Sequence, residues 1–198
     1  MKLIRGLHNF KQPLPGCVAT IGNFDGLHLG HQHVINQLKA VAEIKNLPSV
    51  VILFEPQPVE FFAPDKAPRR LARFRDKIIH LSEIGIDILV CLQFNHALAN
   101  LTAEQFVQQI LVERLNLKHL VIGDDFRFGK KRCGDFKFLQ QAGHKAGFEV
   151  ENSHTLLIDN ERVSSTRIRR CLANNDMLQA RQLIGRPYTL SGRIAHGK

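Results

Sequence analysis

The chain has 198 residues, 44% of them hydrophobic and 23% charged, the balance of a folded globular protein rather than a disordered one. That length suits one full domain with a short appendage, burying about 70% of the surface the unfolded chain exposes. The 27 basic and 18 acidic residues leave a net charge of +9, which draws polyanions such as nucleotide phosphates, nucleic acid or acidic lipid.

Met1 to Phe10 carries lysine and arginine but no apolar core of signal-peptide length. Cys17 to Gly22 reads as a buried strand. Val34, Leu38, Val41 and Ala42 then recur at helical spacing until Asn46-Leu47-Pro48 stops the helix. Ser49 to Phe54 is a second buried strand, too short to span a bilayer. Phe74, Ile78, Leu81 and Ile84 mark a helix closing at Gly85, and Ile86 to Leu92 a third strand. Thr102 to Gln105 forms a capping box before Phe106, Ile110 and Leu111 on one helical face. Lys118 to Gly123 is a fourth strand, followed by a helix from Phe136 to Ala146 and a strand near Phe148 to Val150. A short strand over Thr155 to Asp159 and helices over Ser164 to Leu172 and Met177 to Ile184 complete the pattern. Pro187 to Lys198 starts like a strand without partners, so it is expected to be poorly ordered or loosely docked.

Alternating helices and short, continuously apolar strands predict an α/β fold: a Rossmann-like parallel sheet with helices on both faces. Such sheets bind ligands beyond the carboxyl ends of their strands, which directs attention to the residues after Gly22, Phe54, Leu92 and Gly123. His28-Leu29-Gly30-His31 sits behind the first strand and opens a helix. Two imidazoles three residues apart, with the free N–H groups of a first helical turn, make a phosphate site. A metal pair would need a third ligand, and no recognisable spacing supplies one.

The preceding Gly22, Asn23, Phe24, Asp25 and Gly26 read either as a plain strand-to-helix turn or as backbone approaching a ligand. After the second strand, the prolines Pro56 and Pro58 are expected to hold an extended loop, with Phe62 either core or a wall for a planar heterocycle. The loop from Gly123 to Asp135 fails as a P-loop, having five residues between Gly123 and Gly129 where that motif has four. Asp125, Phe126 and Phe128 with nearby cations suit an aromatic, phosphorylated ligand. Ser164, Ser165 and Thr166 offer a helix cap, and with Arg167 a second anion site across the cleft.

Basic residues also gather at Lys66 to Lys77 and Lys130 to Arg132. They lack the interleaved aromatics of a single-strand stacking platform, so no nucleic-acid partner is expected. Cys17, Cys91, Cys133 and Cys171 are dispersed, without a C-x-x-C pair, which fits a soluble cytoplasmic protein. Neither the oligomeric state nor any metal ligand can be read from the chain.

Together, Gly22 to His31, Phe54 to Pro58, Gly123 to Gly129 and Ser164 to Arg169 resemble the adenylyltransferase module of bacterial bifunctional riboflavin kinase/FAD synthetases, within the HxGH nucleotidyltransferase superfamily. The resemblance covers residues 1–186 and implies AMP transfer from ATP to FMN, with Mg2+, giving FAD and pyrophosphate. It implies that His28, His31 and Arg167 are catalytic. The Gly22 to Gly26 turn, Gly30 and Ser164 to Thr166 would hold ATP, while Pro56, Pro58, Phe62, Asp125, Phe126 and Phe128 would line the flavin side. Residues 187–198 would open a kinase module whose motif is missing here, or form a disordered tail. Alternatives are another phosphomonoester acceptor on the same fold, or a non-catalytic nucleotide- or nucleic-acid-binding module.

Overall fold

In the computed structural model, which describes residues 1–123 and 125–192, six strands pair in parallel. They are β1 (Lys2–Arg5), β2 (Cys17–Ile21), β3 (Ser49–Glu55), β4 (Ile88–Gln93), β5 (Leu117–Gly123) and β6 (Glu149–Ser153), in spatial order β1-β4-β3-β2-β5-β6. Every residue of β2 is buried, as expected for a parallel strand covered on both faces. Strand alternation divides the core. Val50 and Ile52 join one cluster, with Phe106, Ile110, Leu111 and Leu139. Val51 and Leu53 join the other, with Ile35, Leu38 and Leu81.

The helices are α1 (Leu29–Lys45), α2 (Pro58–Phe62), α3 (Phe74–Ile84), α4 (His96–Ala99), α5 (Ala103–Phe106), α6 (Phe136–Ala146), α7 (Ser165–Ala173) and α8 (Met177–Ile184). Helix α1 stops at Asn46, whose left-handed φ of 51° terminates it before Pro48. Helices α7 and α8 form a third apolar cluster with Leu71 and Val163, against which Leu29 packs. This cluster brings the start of α7 to the start of α1.

Several expectations are corrected. An edge strand, β1, precedes the first one expected: Lys2 and Arg5 flank a run in which Ile4 alone is buried, so its apolar signal is one residue deep. The helix after Thr102 makes one α turn and then continues in π geometry over Val107–Val112, turning Val107, Ile110 and Leu111 into the core. The stretch around Pro56 and Pro58 is not extended throughout. Gln57 is extended, but Pro58 starts α2, where its missing N–H costs nothing. Thr155 to Asp159 becomes half of a small antiparallel hairpin, β7 (Leu157–Ile158) and β8 (Glu161–Arg162). Its corner residues Asp159 and Asn160 both have positive φ, the pattern of a type I′ turn. Within residues 187–192, expected to be loosely docked, Tyr188 packs on the α7–α8 cluster and Ser191 Oγ donates to Asp76 Oδ1 at 2.5 Å, while Leu190 stays exposed. The remainder of the expected loose tail, 193–198, lies outside the described residues.

Leu38 is fully buried where α1 meets β3. Leu38→Ala is expected to lower unfolding free energy by about 2–5 kcal/mol, measured by urea denaturation; a loss below about 1 kcal/mol would mean that α1 is not locked to the sheet as described.

Candidate active site

From β2 the chain builds outward through β3 and β4, then crosses back to place β5 and β6 on the other side of β2. The strand order therefore reverses between β2 and β5, and ligands of open α/β sheets bind beyond the carboxyl ends at such a point. A cleft of about 1160 Å³ lies there, lined by the turn after β2, the loop after β5 and the start of α7. It is larger than most single-ligand pockets and has room for two substrates.

The turn from Gly22 to His28 contains two left-handed non-glycine residues, Phe24 (φ 47°) and Leu27 (φ 44°), each disfavoured by about 1–2 kcal/mol. Both side chains are buried, so packing holds them there. Gly26 has φ 82° with Leu71 beside it; an added Cβ would come within 3.0 Å of Leu71 Cδ1. The carbonyls of this turn are bound by donors from distant segments. Lys77 Nζ donates to Asn23 O at 2.9 Å, Ser165 Oγ to Asp25 O at 2.9 Å, and Arg186 Nη2 to Gly26 O at 3.1 Å. Gln32 Nε2 and Arg186 Nη1 reach Leu27 O at 2.8 and 3.3 Å. In a trans peptide the next N–H points away from the bound carbonyl, so these bonds turn the N–H groups to the opposite side.

Asp25 is buried, and its carboxylate accepts from Leu71 N and Ala72 N at 3.1 Å and from Arg169 Nη2. Its side chain is a structural hub joining the turn to residues 69–72 and to α7. The carboxylate is not free for a ligand.

His28 caps α1: its Nδ1 accepts from His31 N at 3.3 Å. That bond requires an unprotonated Nδ1, which leaves the proton on Nε2. The two imidazoles stack with centroids 3.6 Å apart and planes 17° from parallel. Two charged rings cannot share that geometry. Burial, followed by the charges of Arg162 and Arg169, pushes His28 down to about 4. Burial, then His28 and Lys77, holds His31 well below the usual imidazole range. The pair is neutral near pH 7 and works through hydrogen bonds. Nδ1 of His31 is buried without a protein partner.

Gly30 joins the two halves of the cleft. A Cβ there would lie 3.1 Å from Val163 O and 3.2 Å from the His28 ring. Ser164 caps α7 by accepting from Arg167 N at 3.2 Å, and Ser164, Ser165 and Thr166 all line the cleft. Arg167, expected beside these residues, is not among those lining the cleft. Its guanidinium is buried away from the cleft, donating to Ile158 O at 2.8 Å and Glu161 O at 3.0 Å, where it fastens the β7–β8 hairpin. Arg169 lines the cleft instead. The signal was helical spacing: Ser165 and Arg169, four residues apart, share the face that grips Asp25, whereas Arg167 lies with buried Ile168.

On the opposite wall, Pro58, Phe62, Asp125, Phe126 and Phe128 all line the cleft. Phe62 is 67% exposed, an apolar ring at the mouth, edge-on to Phe94. Phe126 stacks on Phe128 with centroids 5.6 Å apart; Phe128 is otherwise core. Asp125 pairs with Arg162 at 2.9 Å, tying this loop to the hairpin. Pro56 is exposed and Gly26 packs beneath the turn, so neither lines the cleft as expected. Lys77, Arg162 and Arg186 went unsingled in the sequence because each works through tertiary approach. Among the described residues no group of three His, Cys, Asp or Glu side chains is arranged to hold a metal ion, and no helix is long and apolar enough to cross a membrane.

A parallel sheet with a glycine-bearing turn, paired imidazoles and a second helix start around its switch-point cleft defines a Rossmann-like α/β protein with a candidate anion site beyond its strand ends. The chain belongs to the FAD synthetase family, whose model matches residues 10–167. It is 48% identical over 198 residues to the bifunctional riboflavin kinase/FMN adenylyltransferase of Escherichia coli strain K12, covering all of this chain and 63% of that protein. It is 49% identical over 197 residues to the protein so named in Haemophilus influenzae, and 50% identical over 198 in Pseudomonas fluorescens, covering 64% and 63% of them. The chain thus spans somewhat under two thirds of the length of these relatives. A solved structure described as a macrolide-efflux protein from Streptococcus pneumoniae superposes with a TM-score of 0.80 over 95% of this chain and 72% of that one. At 24% identity it shows the fold alone.

Because folding lowers the pKa of His28 from 6.5 to about 4, the unfolded chain takes up its proton first as the pH falls. The stability tied to neutral His28 is present above pH 6.5 and declines toward pH 4. His28→Asn keeps a capping side chain but does not titrate. Wild type is expected to lose more stability than this variant across that window in urea titrations, and equal losses would contradict a buried neutral imidazole.

Proposed function

We propose that this chain transfers AMP from ATP to FMN, releasing pyrophosphate and giving FAD. The observation that carries this is the convergence of two anion grips and an aromatic wall on one cleft: His28 and His31 at the start of α1, Ser164 to Thr166 with Arg169 at the start of α7, and Phe62 and Phe126 opposite. Family membership and the names of the relatives support the same reaction.

In this assignment the Gly22 to Asp25 backbone, Gly30 and the histidine pair take the ATP phosphates. Ser164, Ser165, Thr166 and Arg169 take the triphosphate from the other side, and Pro58, Phe62, Asp125, Phe126 and Phe128 face the flavin. The second pKa of a phosphate monoester is about 6, so FMN is largely a dianion at neutral pH. It needs no general base. What the protein supplies is alignment of that oxygen with the α-phosphorus, and donors for the charge developing on pyrophosphate. The Nε2–H of His28 suits the second task, because a neutral donor next to Arg162 and Arg169 is held without drawing a proton from solution. Magnesium belongs to the substrate as MgATP. Asp25 and Asp125 are both engaged by arginines, so the ion's ligands would come mainly from phosphate oxygens and water.

Residues 1–186 would form this adenylyltransferase unit, and 187–198 the start of what continues in the longer relatives. A cytoplasmic setting belongs to the same proposal, supported by four free cysteines.

Purified protein with MgATP and FMN is expected to release pyrophosphate and accumulate FAD in equal amounts, followed by chromatography. His31→Ala should lower kcat on the order of 10²-fold or more; near wild-type turnover would remove the histidine pair from the reaction. Riboflavin, lacking the phosphate nucleophile, should not be consumed, and its conversion by this chain would contradict the proposed chemistry.

A further inference from the structure

Lys77 is the largest fully buried side chain among the described residues and belongs to a run of basic residues that composition alone places on a solvated surface. Among the described residues its ammonium donates to Asn23 O alone, at 2.9 Å. The nearby carboxylates have other partners: Asp25 is taken by two backbone N–H groups and Arg169, and Glu55 and Glu60 by Arg70. Burial pushes the ammonium's pKa down, with Asp25 opposing. A buried cation without a carboxylate at bonding distance works against stability, and a well-packed apolar side chain of similar volume is often neutral or stabilising in its place. Its location is informative. The carbonyl it binds begins the phosphate turn, and the peptide it fixes leads directly into left-handed Phe24.

We infer that Lys77 is a positioning residue for the nucleotide: it pins the Asn23 carbonyl away from the cleft, so that the Phe24 N–H is presented to the phosphates, and it sets a positive charge beneath them. The inference rests on the ATP assignment of the turn but not on FMN as the acceptor. It predicts a separation of effects. A residue that only supports the fold would, when replaced, lower the melting temperature and weaken both substrates together. A positioning residue would weaken ATP while leaving FMN binding and folding intact.

The test uses the whole chain and Lys77→Met, which keeps volume and removes charge and donor. Calorimetry measures ATP binding, flavin fluorescence measures FMN binding, and thermal denaturation measures stability. The ATP Kd is expected to rise about tenfold or more, as for loss of a charged hydrogen bond, with FMN affinity changed less than roughly twofold and the midpoint equal or higher. Unchanged ATP affinity would overturn the inference, as would parallel loss of both affinities with a lower midpoint. Should Lys77→Met not fold, Lys77→Gln is judged by the same two affinities. FAD formation by wild type is assayed separately. If it fails while ATP binding depends on Lys77, the acceptor assignment falls and the role of Lys77 stands. No ATP binding by wild type would overturn both.

Discussion

The turn between β2 and α1 cannot hold its own shape. Two of its residues occupy left-handed backbone without being glycine, and a free strand-to-helix turn would relax from that conformation. It is fixed because its carbonyls are claimed from outside, by Lys77 of α3, Ser165 of α7, Gln32 of α1 and Arg186 beyond α8. The same contacts determine where the peptide N–H groups face. Geometry at the candidate site is therefore a product of tertiary packing: α3, α7 and the segment after α8 must all be seated before the turn is complete. Asp25 adds a further tie, binding residues 71 and 72 and Arg169 through one buried carboxylate.

Electrostatics follow from that arrangement. The cleft collects cations, among them Arg162, Arg169 and Lys130 to Arg132, yet the stacked His28 and His31 are neutral because burial, with Arg162 among the neighbouring charges, opposes their protonation. The site thus separates two roles. In the proposed reaction, arginines and a buried lysine would supply long-range attraction for a polyanion, while the imidazoles would supply directed N–H donors whose number does not vary with pH near neutrality. The stacked His28 and His31 rings are a consequence of a glycine between them and of the cap that His28 makes on α1.

Much of this was legible in the chain. Buried parallel strands announce themselves as unbroken apolar runs, and the stops at Asn46, Gly85 and Gly147 are residues that accept left-handed backbone. The His28–His31 pair was visible because its spacing and its place after a strand are local facts. What escaped was non-local. Arg167 and Arg169 differ by two residues on one helix, and only the packing of Ile168 and Cys171 decides which faces the cleft. Lys77 reads as surface charge until α3 is laid over the turn. Strand β1 has one buried residue and gains its identity from pairing with β4. The flavin-side place of Pro56 came from the family resemblance alone; the chain turns at Pro58 and leaves Pro56 in solvent.

The proposed function requires a triphosphate to lie between the start of α1 and the start of α7. A crystal structure of this chain with a non-hydrolysable ATP analogue tests it most directly. The account predicts phosphate oxygens within hydrogen-bond distance of His28 Nε2 and of Arg169 or the Ser164–Thr166 segment in the same molecule. An analogue bound in full occupancy with its phosphates away from the paired imidazoles would contradict it.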